Sequence, residues 1–186
     1  MLSTGSPNTA GSGSKASIGW KPIWTKFKTR TPAMTVIETT PPENILELKR
    51  VFAAPKPLLF KVWTQPEHMV RWWGCADATN NEIQSDLRPG GAFSVRMELA
   101  DGTVHRIWGE YRETDEPNRL VFTWSWAGET GFDGGDTLVT VTFEEVSGGT
   151  EVILRHENFT KVEDRDSHGE GWGASLDRLV GFLADL

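Results

Sequence analysis

The hydrophobic pattern changes period several times along this chain, and each change marks an element. Leu46, Leu48 and Phe52 sit at even positions of one short stretch, which predicts a half-buried strand. Ala53-Ala54-Pro55 ends it, and Pro57 sits where a helix can open. Leu58, Leu59, Val62 and Trp63 then recur at helical spacing until Gln65-Pro66 interrupts. Met69, Val70, Trp72 and Trp73 predict a second short helix, closed by Gly74.

The middle of the chain alternates. Phe93, Val95, Met97 and Leu99 share one phase, and Asp101-Gly102 predicts a hairpin turn. Ile107 and Tyr111 carry the next strand, with Gly109 between them. After a turn at 115–118 come Leu120, Phe122, Trp124 and Trp126, the most aromatic strand face in the chain. Val139, Val141 and Phe143 precede the turn Gly148-Gly149, and Val152, Leu154 and His156 follow it. Short turns between consecutive strands imply antiparallel pairing. The pattern accounts for about five or six such strands after the helices.

The last segment predicts one long amphipathic helix. Ser167 and Glu170 have capping-box spacing, which places the helix start at Ser167. Trp172, Leu176, Leu179, Val180 and Leu183 form its apolar stripe. An antiparallel sheet with one such helix covers its apolar face with that helix, an α+β architecture.

Residues 1–33 fall outside this pattern. They hold Lys15, Lys21, Lys26, Lys28 and Arg30, no acidic residue, and a Gly/Ser-rich stretch at 11–14. Such composition predicts a disordered extension over 1–44 ahead of one domain at 45–186. It suits an organelle transit peptide, but translation that begins at Met34 is the favoured reading, since Met34-Thr35 would begin a compact protein cleanly. No apolar core of a secretory signal is present in it.

Composition narrows the function classes. The chain has 186 residues and a formal net charge of −7, an acidic balance unlike a nucleic-acid-binding surface. No apolar run approaches the ~18 residues of a membrane span. A cytoplasmic protein is expected. The single cysteine, Cys75, has no internal partner. Nine Trp, nine Phe and one Tyr are the unusual feature, and such large rings either crowd a core or wall a cavity.

Several segments together resemble the helix-grip superfamily of START and Bet v 1-like domains (SRPBCC). Within it they are most similar to the family named after the C-terminal domain of the activator of Hsp90 ATPase. They are 50–55 (RVFAAP), 62–68 (VWTQPEH) running into 71–74 (RWWG), and 86–93 (DLRPGGAF). Gly109-Glu110-Tyr111, 119–124 (RLVFTW) and Gly171-Trp172 with Leu176 and Leu179 complete the set. The resemblance covers roughly residues 45–186. It implies a seven-stranded curved antiparallel sheet gripping the final helix, with two short helices after the first strand and a cavity under the last one. Its members range from co-chaperone domains and stress-response proteins to ligand binders, proposed cyclases and sequestering resistance proteins.

The expected function is therefore binding of a small apolar or aromatic molecule inside the domain. The candidate lining is Trp72, Trp73, Phe93, Val95, Met97, Ile107, Tyr111, Phe122, Trp124, Trp126, His156, Trp172, Leu176 and Leu179. His156 lies on the apolar phase of its strand and reads either as a satisfied core histidine or as a polar anchor. His68 and His168 read as solvent-exposed residues at helix starts, and His105 lies near a hairpin tip. No histidine pair has metal-ligand spacing, so neither a metal nor another cofactor is expected. No GxSxG elbow is present, and Gly169-Glu170-Gly171-Trp172-Gly173 opens no βαβ unit.

Two other classes stay open. A co-chaperone-like domain would bind a protein partner. A cyclase- or hydrolase-like enzyme would act on an aromatic or polyketide-like substrate, with His156, Tyr111 or Glu110 as candidate groups. Binding is favoured over catalysis, and a monomer or weak homodimer is expected.

Overall fold

The computed structural model describes residues 43–75, 77–126 and 136–186. The expected extension at 1–44 lies almost wholly outside the described residues.

The elements follow the order of the pattern. Strand β1 (Leu46–Phe52) leads into helices α1 (Lys56–Thr64) and α2 (Pro66–Trp72). Strands β2 (Ala78–Ser85), β3 (Ala92–Leu99), β4 (Val104–Asp115), β5 (Arg119–Trp126), β6 (Thr137–Val146) and β7 (Gly149–Glu157) come next, and helix α3 (Val162–Ala184) ends the chain. One seven-stranded sheet results, in the order β1-β7-β6-β5-β4-β3-β2, with every pair antiparallel. It curls into a half-barrel around α3, the helix-grip α+β fold.

Pro57 in the first turn of α1 and Pro66 at the start of α2 fit a place where no backbone donor is needed. Gly74, at φ +109°, turns the chain away after α2. The sheet is tightly packed at Gly109. A Cβ there would lie 1.9 Å from Thr123 O and 2.5 Å from Phe93 Cε1, so only glycine allows β4 to close on β5. Beside it, Glu110 N–H donates to Thr123 Oγ1 at 2.9 Å.

The periodic reading missed β2. Its sequence, ATNNEIQS, has one large apolar residue, Ile83, which packs on the core. As an edge strand with a largely polar composition it shows almost no alternation.

The start of α3 also differs from expectation. The helix opens at Val162, with Glu163 and Asp164 in its first turn, where acidic groups suit the helix dipole. Ser167 is no cap. It lies in the helix, and its Oγ donates to Glu163 O at 2.8 Å. The inward stripe is rotated as well. Val180 is 43% exposed, whereas His168, Gly171, Trp172, Ser175, Leu176 and Leu179 are buried. With about 100° per residue, counting only large apolar residues shifts the apparent centre of the stripe away from His168, Gly171 and Ser175.

Among the described residues no helix is long and apolar enough to cross a membrane.

Candidate functional site

The inward phases of the central strands meet α3 in one aromatic cluster. Trp124 stands at its centre. It stacks on Trp73 with centroids 5.7 Å apart and planes within 15°, and it meets Trp172 at 5.1 Å. Trp63 stacks on Trp172 at 6.1 Å and meets Trp72 at 4.8 Å. Phe93 packs edge-on against Phe122 at 5.3 Å and meets Tyr111 at a tilt at 5.6 Å. Rings in such offset and edge arrangements gain from their quadrupoles as well as from burial.

Among the described residues, two small cavities lie within this packing. The first, of about 20 Å3, is lined by Trp73, Gly74, Met97, Ile107, Trp124, His168, Gly171, Trp172 and Ser175. The second, of about 10 Å3, is lined by Trp63, Met69, Trp73, Phe93, Tyr111, Leu120 and Phe122. A single water needs roughly 10–15 Å3, so each is close to the size of one solvent molecule.

The expected lining divides accordingly. Trp73, Phe93, Met97, Ile107, Tyr111, Phe122, Trp124 and Trp172 face one cavity or the other. Trp72, Val95, Trp126, His156, Leu176 and Leu179 are buried around them without lining either. Periodicity missed Gly74, Gly171 and Ser175 because small residues carry no hydrophobic signal. Their smallness leaves space where helix and sheet face each other. Ser175 also joins the end of α2 to α3: its Oγ accepts from Gly74 N–H at 3.1 Å and reaches Gly74 O and Gly171 O as a donor.

Two histidines form the polar end of the cluster. His156 is fully buried and satisfied. Trp172 Nε1–H donates to its Nδ1 at 3.3 Å, and its Nε2 lies 2.7 Å from Thr137 Oγ1. Since Thr137 Oγ1 donates to Trp124 O at 3.0 Å, the threonine oxygen accepts from His156 Nε2–H. Sequence therefore located His156 correctly on the inner face.

His168 corrects its expectation. It is 5% exposed rather than solvated, because α3 begins six residues before it. Its Nδ1 lies 2.7 Å from Asp164 O and must donate there, which leaves Nε2 to accept from Trp126 Nε1–H at 3.1 Å. Stepping back four residues at a time from Leu176 through Trp172 to His168 would have placed it on the inner face.

Burial holds both rings neutral. It lowers the His168 pKa to about 4, with the Asp164 carbonyl opposing the shift. His156 is pushed well below the usual range, first by burial and then by the nearby His168. The two rings are 5.1 Å apart. His105, also inward and 3% exposed, packs edge-on against Trp126 at 5.6 Å, and burial lowers its pKa against the pull of Asp101. It shares the inward phase with Ile107 and Tyr111, a signal that its position near the hairpin tip concealed. His68 is half-buried on α2 beside Phe182, at 5.9 Å.

The other candidate acid–base groups part company. Tyr111 is buried, which raises its pKa, and its hydroxyl lies 3.0 Å from Ser85 Oγ. Glu110 points outward to Arg112 at 2.5 Å. Among the described residues, no group of three or more His, Cys, Asp or Glu side chains is placed to hold a metal ion.

Comparison with known proteins places this geometry. The chain is similar in fold to the AHSA1 protein of Silicibacter pomeroyi, at 27% identity and TM-score 0.65, covering 75% of this chain and 97% of that one. A solution structure of a protein from Arthrobacter aurescens aligns at 22% identity and TM-score 0.70, over 82% and 94% of the two chains. CalU16 from Micromonospora echinospora aligns at 25% identity and TM-score 0.57, over 74% of each. A search of curated proteins finds no match. The family model described as "Activator of Hsp90 ATPase homolog 1-like protein" matches residues 53–184, from just after β1 to the end of α3, and the chain belongs to that family.

Proposed function

We propose that this protein binds a small apolar or aromatic molecule between the curled sheet and α3. The observation that carries the reading is where the small residues fall. Gly171 and Ser175 on α3, with Gly74 after α2, face the large walls Trp124, Ile107 and Met97. A helix serving only to fill the sheet would put large side chains there. The surrounding wall is apolar with a few polar groups at one end, the usual make-up of a small-molecule site. Met97 is an unbranched, adaptable side chain and can yield to a ligand.

Binding without chemistry fits the histidines better than catalysis does. His156 and His168 each have both ring nitrogens engaged in hydrogen bonds. Taking a substrate proton would require one of those bonds to break.

Native mass spectrometry of protein purified from cells tests the reading. A co-purifying molecule, displaced by flat aromatic compounds that quench Trp fluorescence saturably, is the expected result. Ligand-free protein that no apolar aromatic compound quenches would show that the Trp cluster is packing alone.

A further inference from the structure

Two indole donors in the core have no acceptor. Trp124 Nε1 and Trp63 Nε1 are buried and meet no hydrogen-bond partner, although the residues are only 5% and 2% exposed. Native cores seldom leave such donors unmet, because the lost solvation is not recovered. Trp124 walls the first cavity and Trp63 the second. Trp73 is the one lining residue that the two cavities share.

We propose that the two cavities are halves of one ligand site divided by the Trp73 indole, and that the site takes a neutral, flat aromatic molecule whose hydrogen-bond acceptor receives the Trp124 N–H. The proposal rests on the binding function argued above and adds the chemistry of the ligand.

Flatness follows from the stacking. The Trp73 plane lies within 15° of Trp124 at 5.7 Å, so an indole already occupies the face that a ligand ring would cover. Trp73 follows the last residue of α2 and precedes Gly74, whose backbone Ser175 holds. Its side chain can swing from the partition while its backbone stays in place. The departing ring also frees far more room than either cavity offers alone.

Neutrality follows from the walls. No Lys or Arg lines either cavity, and the one lining histidine, His168, donates to Asp164 O and accepts from Trp126. A carboxylate ligand would be buried without a counter-charge, which is costly. Indole faces attract cations, but a cation offers no acceptor to Trp124 N–H and meets no carboxylate in either wall. A carbonyl or ether oxygen on a neutral ring satisfies both conditions.

Three probes of similar shape test this on the full chain: 2-acetylnaphthalene, 2-isopropylnaphthalene and 2-naphthoate. Affinities come from Trp quenching, and the indole N–H resonances from ¹H–¹⁵N spectra. The ketone should bind about tenfold more tightly than the hydrocarbon, the worth of one recovered hydrogen bond. It should outcompete the carboxylate and move the Trp124 indole resonance downfield. Trp124→Phe, which keeps a ring but removes the donor, should bring the ketone to the affinity of the hydrocarbon. Trp73→Phe, with a smaller ring in the partition, should bind the ketone more tightly than the unaltered chain does. Equal binding of ketone and hydrocarbon, with an unmoved Trp124 resonance, overturns the assigned ligand chemistry and leaves the binding function standing. Unchanged affinity in Trp73→Phe overturns the divided site. Saturable binding by none of the three probes overturns both this proposal and the binding function.

Discussion

Thr137 shows how much a single hydroxyl can organise. It is 1% exposed, and its Oγ1 links the His156 ring to the carbonyl of Trp124. That link selects the His156 tautomer, which in turn leaves Nδ1 free to accept from Trp172. One side chain on β6 therefore orients groups on β5, β7 and α3. Thr137→Val keeps the shape but strands the His156 Nε2–H and removes the hydroxyl's bond to the Trp124 carbonyl. It should destabilise the fold by about 1–3 kcal/mol, the usual cost of leaving a buried polar group unmet. Thr137→Ser should retain most of the stability, because the hydroxyl remains. Urea denaturation of both variants reads the difference, and a valine variant as stable as the unaltered chain would mean that the network contributes nothing.

At the scale of elements, the two sheet edges are unequal. Strand β1 carries Leu46, Leu48 and Phe52 against the core, and its Arg50 reaches Asp177 of α3 at 2.6 Å. Strand β2 contributes only Ala78 and Ile83 to the core and pairs with β3 alone, across a register shift near Asn80. Local stability follows buried contact and protected hydrogen bonding. Amides of β2 should therefore exchange with deuterium well before those of β5 and β6, which have partners on both sides. Exchange of β2 as slow as that of β5 would contradict this. The same physics explains why β2 was invisible in the hydrophobic pattern: a strand that buries little alternates little. The aromatic strand β5, buried along nearly its whole length, was the plainest element in the sequence for the converse reason.

Over the whole molecule, the buried histidines tie stability to pH. An unfolded histidine binds its proton near 6.5, while His168 in the fold does so only at about 4. Between those values the unfolded chain holds a proton that the folded chain lacks, so acidification favours unfolding. Above the unfolded pKa neither state is protonated and the effect vanishes. Each such group costs about 1.4 kcal/mol per pH unit within the window. His156, shifted in the same direction, adds to the loss. Stability should be nearly level above neutrality and fall steeply as pH drops from 6.5 towards 4. His168→Gln, which leaves Trp126 an acceptor, should flatten part of that fall. Denaturation midpoints at a series of pH values check it, and parallel profiles for the two proteins would remove His168 as a cause.

Sequence alone determined the order of the elements other than β2 and the inward faces of the aromatic strands, because period-two burial is written directly in the positions of Leu120, Phe122, Trp124 and Trp126. The family resemblance supplied the seventh strand and the helix grip. The tertiary structure decided what local patterns do not encode. It placed the start of α3 at Val162 and turned His168 inward, since a neutral histidine with two partners packs like an apolar residue. It also decided how little space remains among the rings. Residue types state that the walls are aromatic; only the interlocking of β3, β4 and β5 with α2 and α3 sets the two cavities at about 20 and 10 Å3, with Trp73 in the lining of both.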